Sequence, residues 1–222
     1  MYNKGFEFGV NAVPVKTSKF SWTTNLNVTL NKNEVTSLID ANTPITQATG
    51  GLETSSITKV GYPVSSIYVV KTAGVNPENG RRIFINKNGD KVQYLHHGGA
   101  NAWTYLDGTK AAAVNSTDAQ VLGGTLPTWY GGFNNTFQYG NFDLGVNFTF
   151  SGGNYIYNGS KAGLRDQRQW NNSVEVLNAW STPGQNAEIP LAIYGDNVSN
   201  GSSFPIDANV EKGDFLRLQN AS

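Results

Sequence analysis

The oxygen-bearing side chains best spaced to hold a metal ion lie in one short polar turn. Asn86, Asn88 and Asp90 have the one-three-five spacing of the ligands in a calcium-binding loop. Only Asp90 carries a negative charge, and Lys87 and Lys91 would oppose a bound cation. A plain turn between two short strands is therefore the better interpretation of this segment.

Two other pairs of residues carry side chains that bind metals or move protons in other proteins. His96 and His97 are adjacent, but neighbouring residues of a strand point to opposite faces, which argues against a shared metal. Glu7 and Asp143 are candidates for an acid–base pair, but nothing in the sequence fixes the distance that such a pair needs. The chain also has no cysteine, which excludes thiolate ligands. We therefore predict no metal site, no cofactor and no enzymatic activity.

Aromatic side chains in the segments without periodicity are the remaining candidates for ligand contact. Their flat rings can stack on the rings of a sugar, although aromatic residues in loops more often pack the loops together. The candidates are Trp103, Tyr105, Trp129 and Trp170.

Strict alternation of apolar and polar residues is the clearest pattern in the chain. A period of two places alternate residues on opposite faces of a strand. The apolar set comprises Phe20, Trp22, Leu26, Val28, Leu30, Leu144, Val146, Phe148 and Phe150. The polar set comprises Asn25, Asn27, Asp143, Asn147 and Thr149. An apolar face of this kind either packs on a second sheet or faces lipid.

Strand length and low charge favour lipid over a second sheet. The alternation over residues 19–31 exceeds the usual strand of about five or six residues. It matches the roughly 9–11 residues of a strand that spans a membrane. Charged residues make up 14% of the chain, against an average of about 25%. We therefore predict that the apolar set faces lipid and that the polar set faces the wet interior of a barrel.

Tight turns and long insertions alternate along the chain. Short connections at residues 16–18 and 140–141 join long strands, whereas residues 34–127 and 152–213 are long insertions. Tight turns on one side and long loops on the other are typical of outer-membrane barrels. We predict an all-β fold, part of a large antiparallel transmembrane barrel with about five spanning strands and two extracellular loops. The strand at 19–31 should pair with the strand at 129–139, and the strand at 214–222 should be cut in mid-course.

Short motifs spread over nearly the whole chain occur in the order found in one transporter family. They are NKGFEF (3–8), FSW (20–22), NKNEV (31–35), VGYPV (60–64), GVNPENG (74–80), GGTLP (123–127), YGGF (130–133), YGNFDL (139–144), WSTPG (180–184) and GDFLRLQN (213–220). Each motif is weak alone, but together and in this order they are specific. The chain resembles the C-terminal part of a SusC/RagA-type TonB-dependent outer-membrane transporter.

The resemblance implies a barrel of about 22 strands with an N-terminal plug domain. It also implies import of oligosaccharides or peptides together with a SusD-like surface lipoprotein and TonB. The location implied is the outer membrane of a Gram-negative, Bacteroidetes-type bacterium, with lipid around the barrel. The plug and the final strands would then lie outside residues 1–222, and we expect an open sheet with two loop lobes on one rim.

Other classes of function make different demands on the same residues. A soluble or surface-exposed β-rich module that binds sugars or mediates adhesion would pack the apolar face on a second sheet. A hydrolase would need a converging acid–base constellation, which the sequence does not show. The net charge of zero gives no support for binding to nucleic acid.

Overall fold

Antiparallel strands make up most of the regular secondary structure in the described part of the chain. The computed structural model describes residues 1–48, 54–168 and 171–222. In chain order the strands are β1 (Tyr2–Lys16), β2 (Phe20–Glu34), β3 (Ile45–Ala48), β4 (Thr54–Thr58), β5 (Ser66–Val69), β6 (Lys71–Val75), β7 (Arg82–Ile85), β8 (Lys91–Tyr94), β9 (Trp103–Tyr105), β10 (Gln120–Gly123), β11 (Trp129–Tyr139), β12 (Phe142–Gly152), β13 (Tyr155–Tyr157), β14 (Val210–Lys212) and β15 (Phe215–Ala221).

Helical structure is short and lies in the two insertions. An α-helix spans Gly159–Leu164, and 3₁₀ turns span Gly99–Asn101, Ser116–Asp118, Val174–Asn178 and Asp207–Asn209. The turn at Ile39–Asn42 has positive φ angles at Asp40 and Ala41, so it is left-handed. Among the described residues, no helix is long and apolar enough to span a membrane.

The long strands form one sheet in the order β1-β2-β11-β12-β15. Strand β2 pairs with β11 despite the insertion between them, and Leu26 lies opposite Phe133. The predicted pairing of these two strands is therefore confirmed. At the tight turn between β11 and β12, Gly140 has a φ of +60°, a conformation that glycine adopts without strain. That turn sets the register in which Phe133 opposes Phe148.

The two insertions pack together into one body. We call it the rim lobe, and it consists of those residues of 35–128 and 153–214 that the structure describes. Its short strands form the sheets β10-β5-β4-β3, β6-β7-β8-β9 and β13-β14. Phe84 and Val92 of the first insertion share a buried core with Phe204 and Ile206 of the second. The two loop lobes expected on one rim therefore share one core, because the apolar residues of the second insertion complete the core of the first.

The apolar face of the five-stranded sheet carries no comparable core. Phe6, Leu30 and Leu144 on this face are 64%, 50% and 48% exposed. The fully buried apolar side chains, Phe84 and Ile206 among them, belong instead to the rim lobe. The chain thus combines a packed lobe with a sheet whose apolar face is left open.

Candidate functional site

The register of the five strands creates two chemically distinct faces. Residues directly opposite one another in antiparallel strands lie on the same face of the sheet. One apolar row crosses all five strands and consists of Val10, Leu26, Phe133, Phe148 and Leu218. Because every second residue shares this face, the row defines the apolar face of the whole sheet.

All of the predicted lipid-facing residues lie on the apolar face. From β2 these are Phe20, Trp22, Leu26, Val28 and Leu30, and from β12 they are Leu144, Val146, Phe148 and Phe150. The rings of Phe133 and Phe148 stack with centroids 6.5 Å apart, and Trp22 stacks on Phe137 at 5.8 Å. The structure therefore brings this set together as the alternation requires, while its contact with lipid stays a prediction.

The opposite, polar face carries a row of uncharged amides. Asn11, Asn25, Asn134, Asn147 and Asn220 lie opposite one another across the five strands. Asn25 Nδ2 donates to Asn11 Oδ1 at 2.5 Å, and Asn147 Nδ2 donates to Asn220 Oδ1 at the same distance. These bonds hold the side chains of neighbouring strands together without any charge.

The other predicted lumen-facing residues share this polar face. Asn27 Oδ1 accepts a hydrogen bond from Gly132 N at 2.6 Å, so it ties β2 to β11. Asp143 lies opposite Gln138 near the tight turn, and Thr149 lies opposite Gly132. That the polar face meets a lumen is not tested by these contacts and stays a prediction.

Glu7 and Asp143 cannot form an acid–base pair. Glu7 belongs to the row of Thr29, Tyr130 and Ser151. Asp143 lies eight residues before Ser151 on β12, which is roughly 27 Å along a strand. Paired carboxyl groups of glycosidases lie within about 10 Å of each other.

In the turn with calcium-loop spacing, the side-chain oxygens of Asn86 and Asp90 accept hydrogen bonds from other groups of the same turn. Asn86 Oδ1 accepts from the backbone N–H of Asn88 at 3.0 Å and of Asp90 at 2.9 Å. Asn86 Nδ2 also donates to Asp90 Oδ2 at 3.1 Å. The segment is therefore a hydrogen-bonded turn between β7 and β8, and the absence of a bound metal there stays a prediction. Within residues 1–48, 54–168 and 171–222, no three His, Asp or Glu side chains converge on a possible metal position.

The two histidines contact each other, contrary to the argument from strand geometry. Strand β8 ends at Tyr94, so His96 and His97 lie in a turn, and their ring centroids are 4.4 Å apart. Tyr94 Oη lies 3.3 Å from His96 Nδ1. The premise that they point to opposite faces is wrong, although no third metal ligand joins them in the described part of the chain.

The predicted ligand-contact aromatics have separate environments. Trp103 packs against Phe84 at 5.3 Å and Tyr94 at 4.9 Å, so its ring supports the core of the rim lobe. Tyr105, two residues further on, is exposed. Trp170 lies outside the described residues.

Trp129 lies in a strand, as the predicted strand at 129–139 requires, and its grouping with the loop aromatics is wrong. It is the first residue of β11, pairs with Leu30 of β2, and its ring lies 6.2 Å from that of Phe150. The ladder with β2 and β12 places it at the loop-side end of the apolar face.

Comparison with known proteins finds relatives both in sequence and in fold. No protein-family model matches the chain. The TonB-dependent receptor P26 of Formosa agariphila is 31% identical over 98% of the chain, and the receptor SusC of Bacteroides thetaiotaomicron is 28% identical over 98%. A chain in the structure of the RagAB peptide transporter matches 99% of this chain with a TM-score of 0.74 at 18% identity. The resemblance to the SusC/RagA type is confirmed.

The matched receptors are much longer than this chain, so the similarity covers only part of each of them. The chain spans 21% of receptor P26, 20% of SusC and 22% of the RagAB chain, or about a fifth of each. The predicted fold class is confirmed, because antiparallel sheets with very little helix match part of a TonB-dependent barrel. These relatives are receptors and transporters, which agrees with the prediction that the chain is not an enzyme.

Buried charges in the rim lobe are the feature that sequence reasoning missed. Arg82 is only 2% exposed, and its Nε donates to Ser199 O at 3.0 Å. Burial, reinforced by nearby Arg165, lowers the pKa of Arg82 to about 10, so it stays protonated at neutral pH. Arg165 bonds Glu175 at 2.7 Å and thereby lowers the pKa of that carboxyl. No periodicity marks Arg82, because its burial depends on a segment more than a hundred residues away.

A partly buried carboxyl, that of Asp207, fastens the two insertions together. Asp207 Oδ1 accepts from Thr72 N at 3.0 Å and from Thr72 Oγ1 at 2.6 Å. Burial nevertheless raises the pKa of Asp207, since removal from water disfavours its charged form more than these bonds favour it. Trp180 Nε1 adds a bond to Pro77 O at 2.8 Å. These contacts make the rim lobe a single support for exposed residues such as Tyr105.

Proposed function

We propose that this chain forms part of the barrel wall and an extracellular lobe of a TonB-dependent outer-membrane nutrient transporter. The observation that carries the proposal is the continuous apolar face across five strands, four of them long, with the rim lobe at one end only. Strands β1 and β2 have 15 residues each, and β11 and β12 have 11 each. These lengths suffice for a membrane, which needs about 9–11 residues per tilted strand.

Orientation follows from the same asymmetry. Tight turns at residues 16–18 and 140–141 would face the periplasm, and the insertions at 34–127 and 152–213 would be extracellular. Similarity to TonB-dependent receptors supports an outer-membrane location, in a Gram-negative bacterium of the Bacteroidetes type. The polar face would then line the interior of the barrel, and a plug domain and further strands would come from the rest of the receptor.

Partners and substrate class are proposed from the named relatives. RagAB is described as a peptide transporter, and SusC is a TonB-dependent receptor. We propose that the receptor containing this chain works with TonB and a SusD-like lipoprotein and imports oligosaccharides or peptides. Tyr105 is the predicted aromatic best placed for substrate contact, because it is exposed, whereas Trp103, two residues before it on the same strand, is packed into the lobe.

A soluble sugar-binding or adhesive module is not favoured by the fold. It would bury the apolar face under a second sheet, whereas Phe6 and Leu30 on that face are exposed. An apolar face this wide would drive association in water, and lipid is the environment that removes the need for a covering layer.

Cysteine labelling of the full receptor tests the proposal. The chain has no native cysteine, so Phe148→Cys, Asn147→Cys and Leu177→Cys each add one thiol to residues 1–222. In intact cells we expect a membrane-impermeant maleimide to label Leu177→Cys, in the exposed part of the rim lobe. Phe148→Cys should react only with a lipid-soluble maleimide, because its side chain would face hydrocarbon. Its neighbour Asn147→Cys is the matched control, on the opposite face of the same strand.

Two outcomes would contradict a membrane barrel. The first is equal labelling of Phe148→Cys and Leu177→Cys by the water-soluble reagent. The second is recovery of the receptor from the soluble fraction, with Phe148→Cys protected there by a second protein layer.

A further inference from the structure

Two lysines stand side by side at the loop-side end of the apolar face. Lys4 of β1 lies directly opposite Lys32 of β2. Lys4 comes two residues before Phe6, and Lys32 comes two residues after Leu30, so both share the face of those apolar residues. On this face the cationic pair is the next pair after the apolar pair Phe6–Leu30, two residues further along each strand.

One carboxylate faces these two ammonium groups. Lys32 Nζ lies 3.1 Å from Glu34 Oε2, and Tyr2 Oη donates to the same oxygen at 2.8 Å. Lys4 Nζ lies 5.6 Å from the centroid of the Tyr2 ring, and the Lys32 side chain is 61% exposed. Among the described residues, Glu34 is the one acidic side chain within ion-pair distance of either lysine, so a net positive charge remains for a further anion.

A cavity of about 420 Å³ opens beside Lys32 at the same level of the sheet. Its lining combines Lys32 and Glu34 with the apolar side chains of Pro63, Leu126 and Pro127. The backbone brings these parts together, since Asn31 N donates to Thr128 O at 2.8 Å. A cation next to apolar carbon suits the boundary between a lipid headgroup and its hydrocarbon chains.

A second depression lies below, in the apolar face itself. It has a volume of about 410 Å³ and a wholly apolar lining of Leu26, Phe133, Phe148, Phe150 and Leu216. The rows of the sheet place it towards the membrane centre relative to the lysines, about four to six residues along the strands from Lys32. A chain attached to a headgroup at the rim would descend in this direction.

We infer that the rim formed by Lys4 and Lys32 binds the phosphate of an anionic membrane lipid whose acyl chain lies on the apolar face beneath. Charge complementarity carries the choice of occupant, because paired lysines directly above an apolar face match an anionic headgroup above hydrocarbon. The inference rests on the proposed membrane location. It goes beyond that location by assigning a headgroup charge and two contact residues.

The test compares lipids that differ only in headgroup charge. The full receptor is purified in detergent, and native mass spectrometry follows the addition of phosphatidylglycerol or of phosphatidylcholine with the same acyl chains. Wild-type receptor should retain phosphatidylglycerol preferentially. Lys4→Gln/Lys32→Gln should weaken its binding by about 30-fold, which is the loss expected for two lysines at a membrane surface. Lys212→Gln, in the exposed strand β14 of the rim lobe, is the matched control and should change nothing.

Glu34→Gln provides a change of opposite sign. It removes the carboxylate that competes for Lys32 while keeping an acceptor for Tyr2, so phosphatidylglycerol should bind more tightly. The inference is overturned if wild type shows no preference between the two lipids, if the double variant binds like wild type, or if inorganic phosphate displaces the lipid completely. The cysteine labelling reports separately on the membrane location, so failure of the lipid site alone leaves that location standing.

Discussion

Gly131 is the position where the three central strands leave least room for a side chain. It lies opposite Val28 on one side and Phe150 on the other. A Cβ atom at Gly131 would clash with the backbone oxygen of Asn27 and would lie 2.6 Å from Phe150 Cζ. The nearer atom belongs to the backbone of the β2–β11 ladder, so it cannot move aside without disturbing the sheet.

We therefore expect Gly131→Ala to destabilise the folded receptor by roughly 1–3 kcal/mol, the usual cost of forcing an extra methyl group into a packed site. Gly132→Ala is the matched control, since it is the next residue and projects to the polar face. Its Cβ would meet nothing closer than 3.5 Å, an ordinary contact. Loss of a glycine there should be neutral or should stabilise by about 0.4–1 kcal/mol through the unfolded state.

The assay is unfolding in urea, followed by gel electrophoresis of unheated samples, in which folded and unfolded receptor migrate differently. The quantity compared is the urea concentration at the midpoint of unfolding. Gly131→Ala should shift that midpoint down, and Gly132→Ala should leave it unchanged or raise it. Equal midpoints for the two variants, or a lower midpoint for Gly132→Ala, would refute the register of β2, β11 and β12.

Two further predictions concern the rim lobe. Because burial raises the pKa of Asp207, its contribution to stability is fully present below the unfolded pKa of about 3.9 and is lost as pH rises through the folded value. Asp207→Asn keeps an acceptor for Thr72 and should therefore be more stable than wild type at pH 7, with a difference that vanishes in acid; thermal unfolding across pH checks this, and a constant difference would contradict it. Trp180→Phe removes the bond to Pro77 O and should cost about 0.5–1.5 kcal/mol. Hydrogen exchange should then speed up in both insertions, unlike in the exposed control Leu177→Ala, and unchanged exchange would argue against a shared core.

The long strands could be predicted from sequence because each side chain in a strand points to one of only two faces of the sheet. Alternation assigned Leu144 and Asn147 to opposite faces, and the turn at Gly140 fixed the register between β11 and β12. Strand order added the pairing of β2 with β11, since consecutive spanning strands are neighbours. Local rules therefore suffice for the sheet.

The rim lobe could not be predicted in the same way, because its contacts join distant residues in short strands. Val70 N donates to Pro205 O, and Asp207 N donates to Val70 O, across more than a hundred residues. Ile206 between them has no periodic neighbours that mark it as a core residue. The prediction for His96 and His97 was wrong for a related reason. It assumed that they lie in a strand, but β8 ends at Tyr94, and that end depends on the turn that follows it.

Strand order in the sheet explains why the two insertions meet. The first insertion leaves the sheet at the end of β2 and returns at the start of β11, and the second leaves at the end of β12 and returns at β15. These four strands are consecutive neighbours, and antiparallel pairing brings all four of these ends to the same edge of the sheet. Two long connections that start about 5–15 Å apart on one edge compete for the same space, and a shared core is the arrangement that buries both. The bond from Arg82 to Ser199 O and the packing of Phe84 against Phe204 are consequences of that crowding. A change in one insertion should therefore be transmitted to the other through their common core.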